Sequence, residues 1–285
     1  MKTHWYMKHP IIFGLLIPIV GVEAASILSM LLQLPIYAVI GNGILKYRHL
    51  PGILFDLSRI LVGLGIILIM KPRLWKGYKA GFSNDQAFVS IKFAALASLM
   101  VISNIIENGV VGGLPAADTP VGILSGILNG IAPGFYEEMV CRGVVLSLMM
   151  YCFQKKKDRI TRSVVLSGLC FGIVHLLNLL SADIVMTLIQ VCYAAAVGIF
   201  FGGIYVRTRN LWGPVIFHSL IDIAEFIYIG DAGFTSYVLV SSIAIIIIYS
   251  ALGLYLIRPA KRREIEELWS DAADTREMAR AEESV

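Results

Sequence analysis

The sequence is short of charge. Only 15% of its 285 residues are Asp, Glu, Lys or Arg, whereas 57% are hydrophobic, and the mean hydropathy is +0.76. A soluble domain of this size carries more charge, because its surface faces water. No hydrophilic stretch is long enough to fold as a second domain, and internal repeats and low-complexity segments are absent. Cysteine is also scarce. Cys141, Cys152, Cys170 and Cys192 all sit in apolar runs, with no paired spacing that would suggest a disulfide framework or a thiolate zinc site. They are read as small buried packing residues. The net charge of +4 comes without a basic face or a stacking platform, so nucleic acid is not an expected partner.

What the chain has instead is long apolar runs, and a spanning helix needs roughly 20 such residues. The expected fold class is an all-α polytopic membrane protein of about eight transmembrane helices, with the active site buried in the helix bundle. The spans are placed near 11–32, 53–70, 88–106, 134–153, 163–180, 186–206, 211–229 and 236–257. Lys2 and Lys8 precede the first run like the start of a signal peptide, but the run is too long for one and reads as a retained helix. Pro18, Glu23, Gln33 and Pro35 interrupt it. It is therefore either one long kinked helix or a span plus an interfacial segment. The Gly-rich stretch 119–133 reads as a re-entrant or separate piece before the fourth span.

Basic residues orient the spans. Lys71, Arg73, Lys76 and Lys79 follow the second span, and Lys155, Lys156, Lys157, Arg159 and Arg162 follow the fourth. Arg207 and Arg209 follow the sixth, and Arg258, Lys261, Arg262 and Arg263 follow the eighth. The alternate loops 107–118, 181–185 and 230–235 have no Lys or Arg. Both termini are thus expected in the cytoplasm of a multi-pass cell-membrane protein. Lys46, Arg48 and Arg59 disagree, since they fall on the outer side. One transmembrane domain is expected over 1–257, followed by a charged cytoplasmic tail over 258–285. In that tail Ile265, Leu268 and Trp269 offer an apolar stripe for a surface helix, against the alternative of a solvated terminus.

Ionisable groups inside a span are functional candidates by default. The first cluster is Glu137-Glu138-Met-Val-Cys-Arg142. Glu138 and Arg142 are four apart, so on a helix they share a face and can pair. Glu137 points about 100° away, has no sequence-local partner and is a candidate general base. A purely structural Glu138–Arg142 lock is the alternative. The second cluster is Phe171-x-x-x-His175, with Asn178 three residues on. The third is His218-x-x-x-Asp222, where a carboxylate beside an imidazole fixes its tautomer. Alternatively, both groups face one metal ion, because two histidines plus a carboxylate with an open water position form a common catalytic zinc shell. A His–Asp pair that merely closes helix contacts is the structural alternative.

Taken in order, Glu-Glu-x-x-x-Arg, Phe-x-x-x-His and His-x-x-x-Asp on separate spans resemble the CPBP family. This is the CAAX-protease and bacteriocin-processing group of intramembrane proteases, also called the Abi family. The resemblance runs from about Gly130 to Glu225 and includes Arg142-Gly143, Phe171-Gly172 and Leu211-Trp-Gly-Pro214. It implies an endopeptidase that hydrolyses a peptide bond of a membrane-associated protein or peptide, in contact with the lipid bilayer. Water would be activated at Glu137 and His175, with the oxyanion bound at His218 and Asp222, and with Glu138 and Arg142 in support. A divalent metal, zinc, is a candidate cofactor on Glu137, His175, His218 and Asp222, with a metal-free site as the alternative.

Two positions depart from the family pattern. Cys141 stands where an aromatic residue is frequent. Asp222 stands where Asn is frequent; an ionised Asp only accepts hydrogen bonds, so either Asp222 is protonated or, as is the favoured expectation, it acts through His218, whose imidazolium would stabilise the oxyanion. Two other classes compete: a non-catalytic membrane protein conferring bacteriocin immunity or binding a partner, and an ion-coupled transporter. The latter often shows repeated halves, and none is evident.

Overall fold

The computed structural model describes residues 4–41, 49–74, 81–230 and 233–270. Among these the backbone is helical, and the one β-bridge joins Ala116 to Tyr228. After a helical turn at Trp5–Lys8 come α1 (Pro10–Ile40), α2 (Leu50–Leu74) and α3 (Ala87–Val111). Next is α4, an unbroken helical path over 120–152 that passes from α-geometry to a π-segment at Met139–Leu146 and back. Then follow α5 (Arg159–Leu180), α6 (Ile184–Thr208), α7 (Trp212–Phe226), α8 (Ser236–Leu256) and a short α9 (Arg262–Leu268).

Six of these, α1, α2, α3, α5, α6 and α8, are long and apolar enough to cross a membrane. The chain is a multi-pass, all-α membrane protein. Many exposed side chains of these helices, Leu61, Leu68, Leu99 and Ile247 among them, are large and apolar, as suits contact with lipid. The expected eight spans are met by six. Helix α7 has 15 residues, short of the roughly 20 that a span needs. Helix α4 carries Glu137, Glu138 and Arg142 at its middle. These two helices hold most of the candidate site.

Of the two forms expected of the first span, the single long helix is present, while two other expectations are corrected. Helix α1 runs for 31 residues through Pro18 and Pro35, about 46 Å at 1.5 Å per residue, longer than a hydrocarbon core of about 30 Å. The Gly-rich stretch 119–133 is not a separate piece but the first half of α4. Thr119 caps it, its Oγ1 accepting the Gly122 N–H at 3.1 Å, and Pro120 occupies the first turn. Finally, Cys192 is exposed, while Cys141 and Cys170 are buried and Cys152 is half-buried; all four are free thiols.

Glycine sets the approach of α4 to α7. Gly126, Gly130 and Gly134 recur every four residues and so share one face. A methyl group on Gly130 would lie 2.5 Å from the Ile223 nitrogen, and one on Gly134 would lie 2.6 Å from the Ser219 nitrogen. Only glycine permits that backbone contact, the usual role of small residues between membrane helices. Glu138 is the next residue on the same face, so the contact that excludes side chains below it delivers its carboxylate to α7.

The start of α7 is fixed independently. Asn210 is fully buried; its Nδ2 donates to the carbonyls of Ser83 and Asp85 at 2.8 and 3.0 Å, and its Oδ1 accepts the Trp212 N–H at 2.9 Å. Gly213 sits against the Ser90 carbonyl, 2.3 Å from where its Cβ would be. At the other end of the chain, α9 docks on the bundle. Ile265 and Trp269 are buried, and Trp269 Nε1 donates to the Val206 carbonyl at 2.9 Å. Ion pairs join Glu266 to Arg159 and Glu264 to Arg207. The apolar stripe exists, but Ile265 and Trp269 face protein rather than a membrane surface. Residues Lys46, Arg48, Lys76, Lys79 and 271–285 lie outside the described residues.

Candidate active site

Glu137 and Glu138 end the α-helical part of α4, where the π-segment begins. Single-turn π-segments of this kind occur often at functional sites. The predicted pairing of Glu138 with Arg142 is present: Arg142 Nη1 donates to Glu138 Oε1 at 2.7 Å, and both side chains are essentially solvent-free. The Arg142 guanidinium also lies over the Phe171 ring, 4.4 Å from its centroid, a favourable seat for a desolvated cation.

Glu138 Oε1 takes a second hydrogen bond, from His218 Nδ1 at 2.8 Å. An ionised carboxylate only accepts, so Nδ1 carries the proton, and Nε2 is turned the other way. That nitrogen faces two more carboxylates, Asp222 Oδ2 at 3.6 Å and Glu137 Oε2 at 3.8 Å. His218 is therefore ringed by Glu137, Glu138 and Asp222, and its shortest bond comes from Glu138 rather than from Asp222 four residues away.

His175 sits where α5 tightens from α-geometry to a 3₁₀ turn over His175–Leu180. Its Nδ1 is 2.9 Å from the Phe171 carbonyl oxygen. A carbonyl cannot donate, so this bond too puts the proton on Nδ1 and leaves Nε2 as the available nitrogen. Phe171 orders both rings, edge-to-face with His175 at 4.9 Å and with His218 at 5.8 Å. His175 lies within electrostatic reach of Glu137. Helices α4, α5 and α7 thus bring together all six candidates.

One participant was read differently from the sequence. Arg59, on α2, stands out in the sequence only as a charge against the orienting pattern. Its Nη2 donates to Glu137 Oε1 at 3.1 Å, across 78 positions of sequence. The available signal was Asp56 and Arg59 inside a run otherwise fit to span a membrane, a pair as costly there as the Glu-Glu pair.

His175, His218 and Asp222 line a cavity of about 360 Å³ between α3, α5, α6, α7 and α8. Its walls mix apolar groups such as Met100, Ile189 and Val197 with polar ones such as Asn104, Asn178 and Gln190. A cavity of that size, mostly apolar with a few converging polar groups, is suited to an extended small ligand or peptide segment. Asn178 does not join the histidines; its Nδ2 donates to Gln190 Oε1 at 2.8 Å. Among the described residues no three His, Cys, Asp or Glu side chains are gathered as a metal-ligating group. Two oxygens near the histidines are already engaged, Glu138 Oε1 by Arg142 and His218 and Glu137 Oε1 by Arg59, while Glu137 Oε2 and Asp222 Oδ2 face His218 Nε2. As arranged, these donors do not gather into a metal-ligating group.

Residues 119–224 match the family model of the type II CAAX prenyl endopeptidases, Rce1-like. This segment covers α4 to α7 and every candidate residue except Arg59. No curated protein and no solved structure matches the chain.

Proposed function

We propose that the chain, whose residues 119–224 match the Rce1-like family model, is an intramembrane endopeptidase in which Glu137 and His175 activate a water. The observation supporting this most is the convergence of two carboxylates and two imidazoles, from three helices, beside a cavity inside an apolar bundle. Hydrolysis needs a base for water, donors for the developing oxyanion and a site where bulk water does not compete.

Glu137 Oε2 is the free oxygen of its carboxylate, since Oε1 is held by Arg59. It takes a proton from water, with His175 Nε2 as the second acceptor. His218 then serves as the oxyanion donor through Nε2. Its Nδ1–H is anchored on Glu138, so an Nε2–H, present in the imidazolium, points at the reacting carbonyl. Asp222 acts through His218 in this scheme, because an ionised Asp cannot itself donate to an oxyanion. With His218 as imidazolium, the charges of Arg59, Arg142 and His218 balance those of Glu137, Glu138 and Asp222, which lowers the cost of burying all six. The proton collected at Glu137 passes to the leaving amine. No step is routed through a metal.

The substrate is a membrane-associated protein or peptide, and the pattern of basic loops supports a reading with both termini in the cytoplasm. The test is hydrolysis by purified protein in proteoliposomes, read by mass spectrometry on a prenylated CAAX-type peptide and on total membrane protein N-termini. Glu137→Gln and His175→Ala are expected to lose cleavage while inserting and purifying normally. General-base catalysis is worth about 10²–10⁴-fold. Undiminished cleavage by both variants would sink the reading.

A further inference from the structure

We infer that Arg59 is a positioning residue for the proposed base: α2 clamps one oxygen of Glu137 and thereby aims the other. The inference rests on the endopeptidase reading but comes from a part of the chain outside the 119–224 family segment.

Arg59 lies nine positions inside α2, which begins at Leu50. Its guanidinium is fixed from several sides. It lies 5.5 Å from the Phe55 ring centroid and 5.9 Å from that of Tyr136, the neighbour of Glu137. Tyr136 is itself immobilised, fully buried with its hydroxyl donating to the Pro18 carbonyl at 2.6 Å. Asp56, one turn before Arg59 and 1% exposed, lies within electrostatic reach of the guanidinium. The Arg59–Glu137 pair is half-buried, with side-chain exposures of 15% and 20%. Phe55 and Asp56 of α2 and Tyr136 of α4, the last anchored on α1, therefore hold a cation against the one carboxylate of α4 that lacks a partner on its own helix.

The consequence is orientational. A glutamate side chain has three rotatable bonds, and a carboxylate alone in a cavity samples several directions. With Oε1 bound to Arg59 at 3.1 Å, Oε2 is turned toward His218 Nε2, 3.8 Å away. Positioning of this kind contributes to rate rather than to binding, because misplacement of a reacting group by about 1 Å can cost about 10²-fold. Arg59 also supplies the counter-charge that an intramembrane carboxylate needs. The two roles separate on substitution. Lysine keeps the charge but not the planar, rigid fork of the guanidinium, and methionine keeps neither.

Steady-state kinetics of Arg59→Met and Arg59→Lys in proteoliposomes, beside wild type and Glu137→Gln, decide the matter. Wild-type cleavage that disappears in Glu137→Gln establishes the underlying reading independently. Arg59→Lys is then expected to restore the melting temperature lost in Arg59→Met, yet to keep kcat at least about tenfold below wild type, with KM within about twofold. A misplaced base is expected to produce this split. Arg59→Lys with kcat within about twofold of wild type would overturn the inference and leave Arg59 as charge compensation. So would a raised KM at unchanged kcat. A thermal double-mutant cycle between Arg59→Met and Glu137→Gln gives a readout independent of catalysis. Coupling of the two is expected, and strict additivity would overturn the inference as well.

Discussion

Three charged or ionisable side chains, Glu138, Arg142 and His218, are buried together and share a single carboxylate oxygen. Removing one member of such a set strands the others in a low dielectric. Arg142→Met should therefore cost about 3–5 kcal/mol, read as a fall in melting temperature in detergent. The double variant Glu138→Gln/Arg142→Met should lose less than Arg142→Met alone, because it leaves no uncompensated charge. A double loss equal to the sum of two large single losses would mean that the groups act separately. The Glu138–Arg142 pair was legible in the sequence, since a spacing of four on a helix leaves little choice. The partners of His218 were not. Asp222 was visible by the same spacing, but Glu138 reaches His218 across 80 positions. Arg59 was hidden for another reason: inside an expected span it reads as an orienting charge, and its partner Glu137 lies 78 positions away on another helix.

The element that matters most is the α4–α7 pair. Their glycine-mediated contact sets how far Glu138 stands from His218, so bulk on that face should act at a distance. Gly134→Val has nowhere to put even its Cβ, 2.6 Å from the Ser219 nitrogen. It is expected to lower stability by more than the ~1 kcal/mol of an ordinary substitution and to abolish activity, although it touches no catalytic group. Normal stability and activity in that variant would contradict this packing. The same glycines explain why 119–133 was misread. In water glycine weakens a helix by about 1 kcal/mol per residue, so a Gly-rich apolar run suggests a break. Inside a bundle it allows close backbone contact, and the helix persists. Helix α9 makes a parallel case. The spacing of Ile265 and Trp269 announced an amphipathic helix, but sequence alone could not say whether lipid or protein would cover it. Trp269→Ala, which removes a fully buried ring and its bond to Val206, should destabilise the bundle by about 3–5 kcal/mol, measurable by thermal unfolding.

At the scale of the whole molecule, low charge and long apolar runs were enough to identify an all-α membrane protein. They were not enough to count its spans. Helices α4 and α7 were included because they are hydrophobic, yet α7 is too short and α4 too charged at its centre to meet the criteria of a lipid-facing span. A pair of apolar helices that carry a few ionisable groups on facing sides, packed among longer apolar helices, is a way to hold such groups at membrane depth. The state of metal in that enclosure is open to direct measurement. With Glu137 Oε1 engaged by Arg59 and Glu138 Oε1 by Arg142 and His218, full activity is expected after exhaustive chelation, with no stoichiometric metal by elemental analysis. Loss of activity on chelation that zinc restores would require a rearranged site.

The central claim is that water activated at Glu137 cleaves peptide bonds within the membrane. Comparing membrane protein N-termini and released peptides produced by wild type and by Glu137→Gln, at matched expression and in the same membranes, tests it most directly. The account predicts cleavage products that are present with wild type and absent with Glu137→Gln, while the variant remains folded. Identical products from both would contradict it.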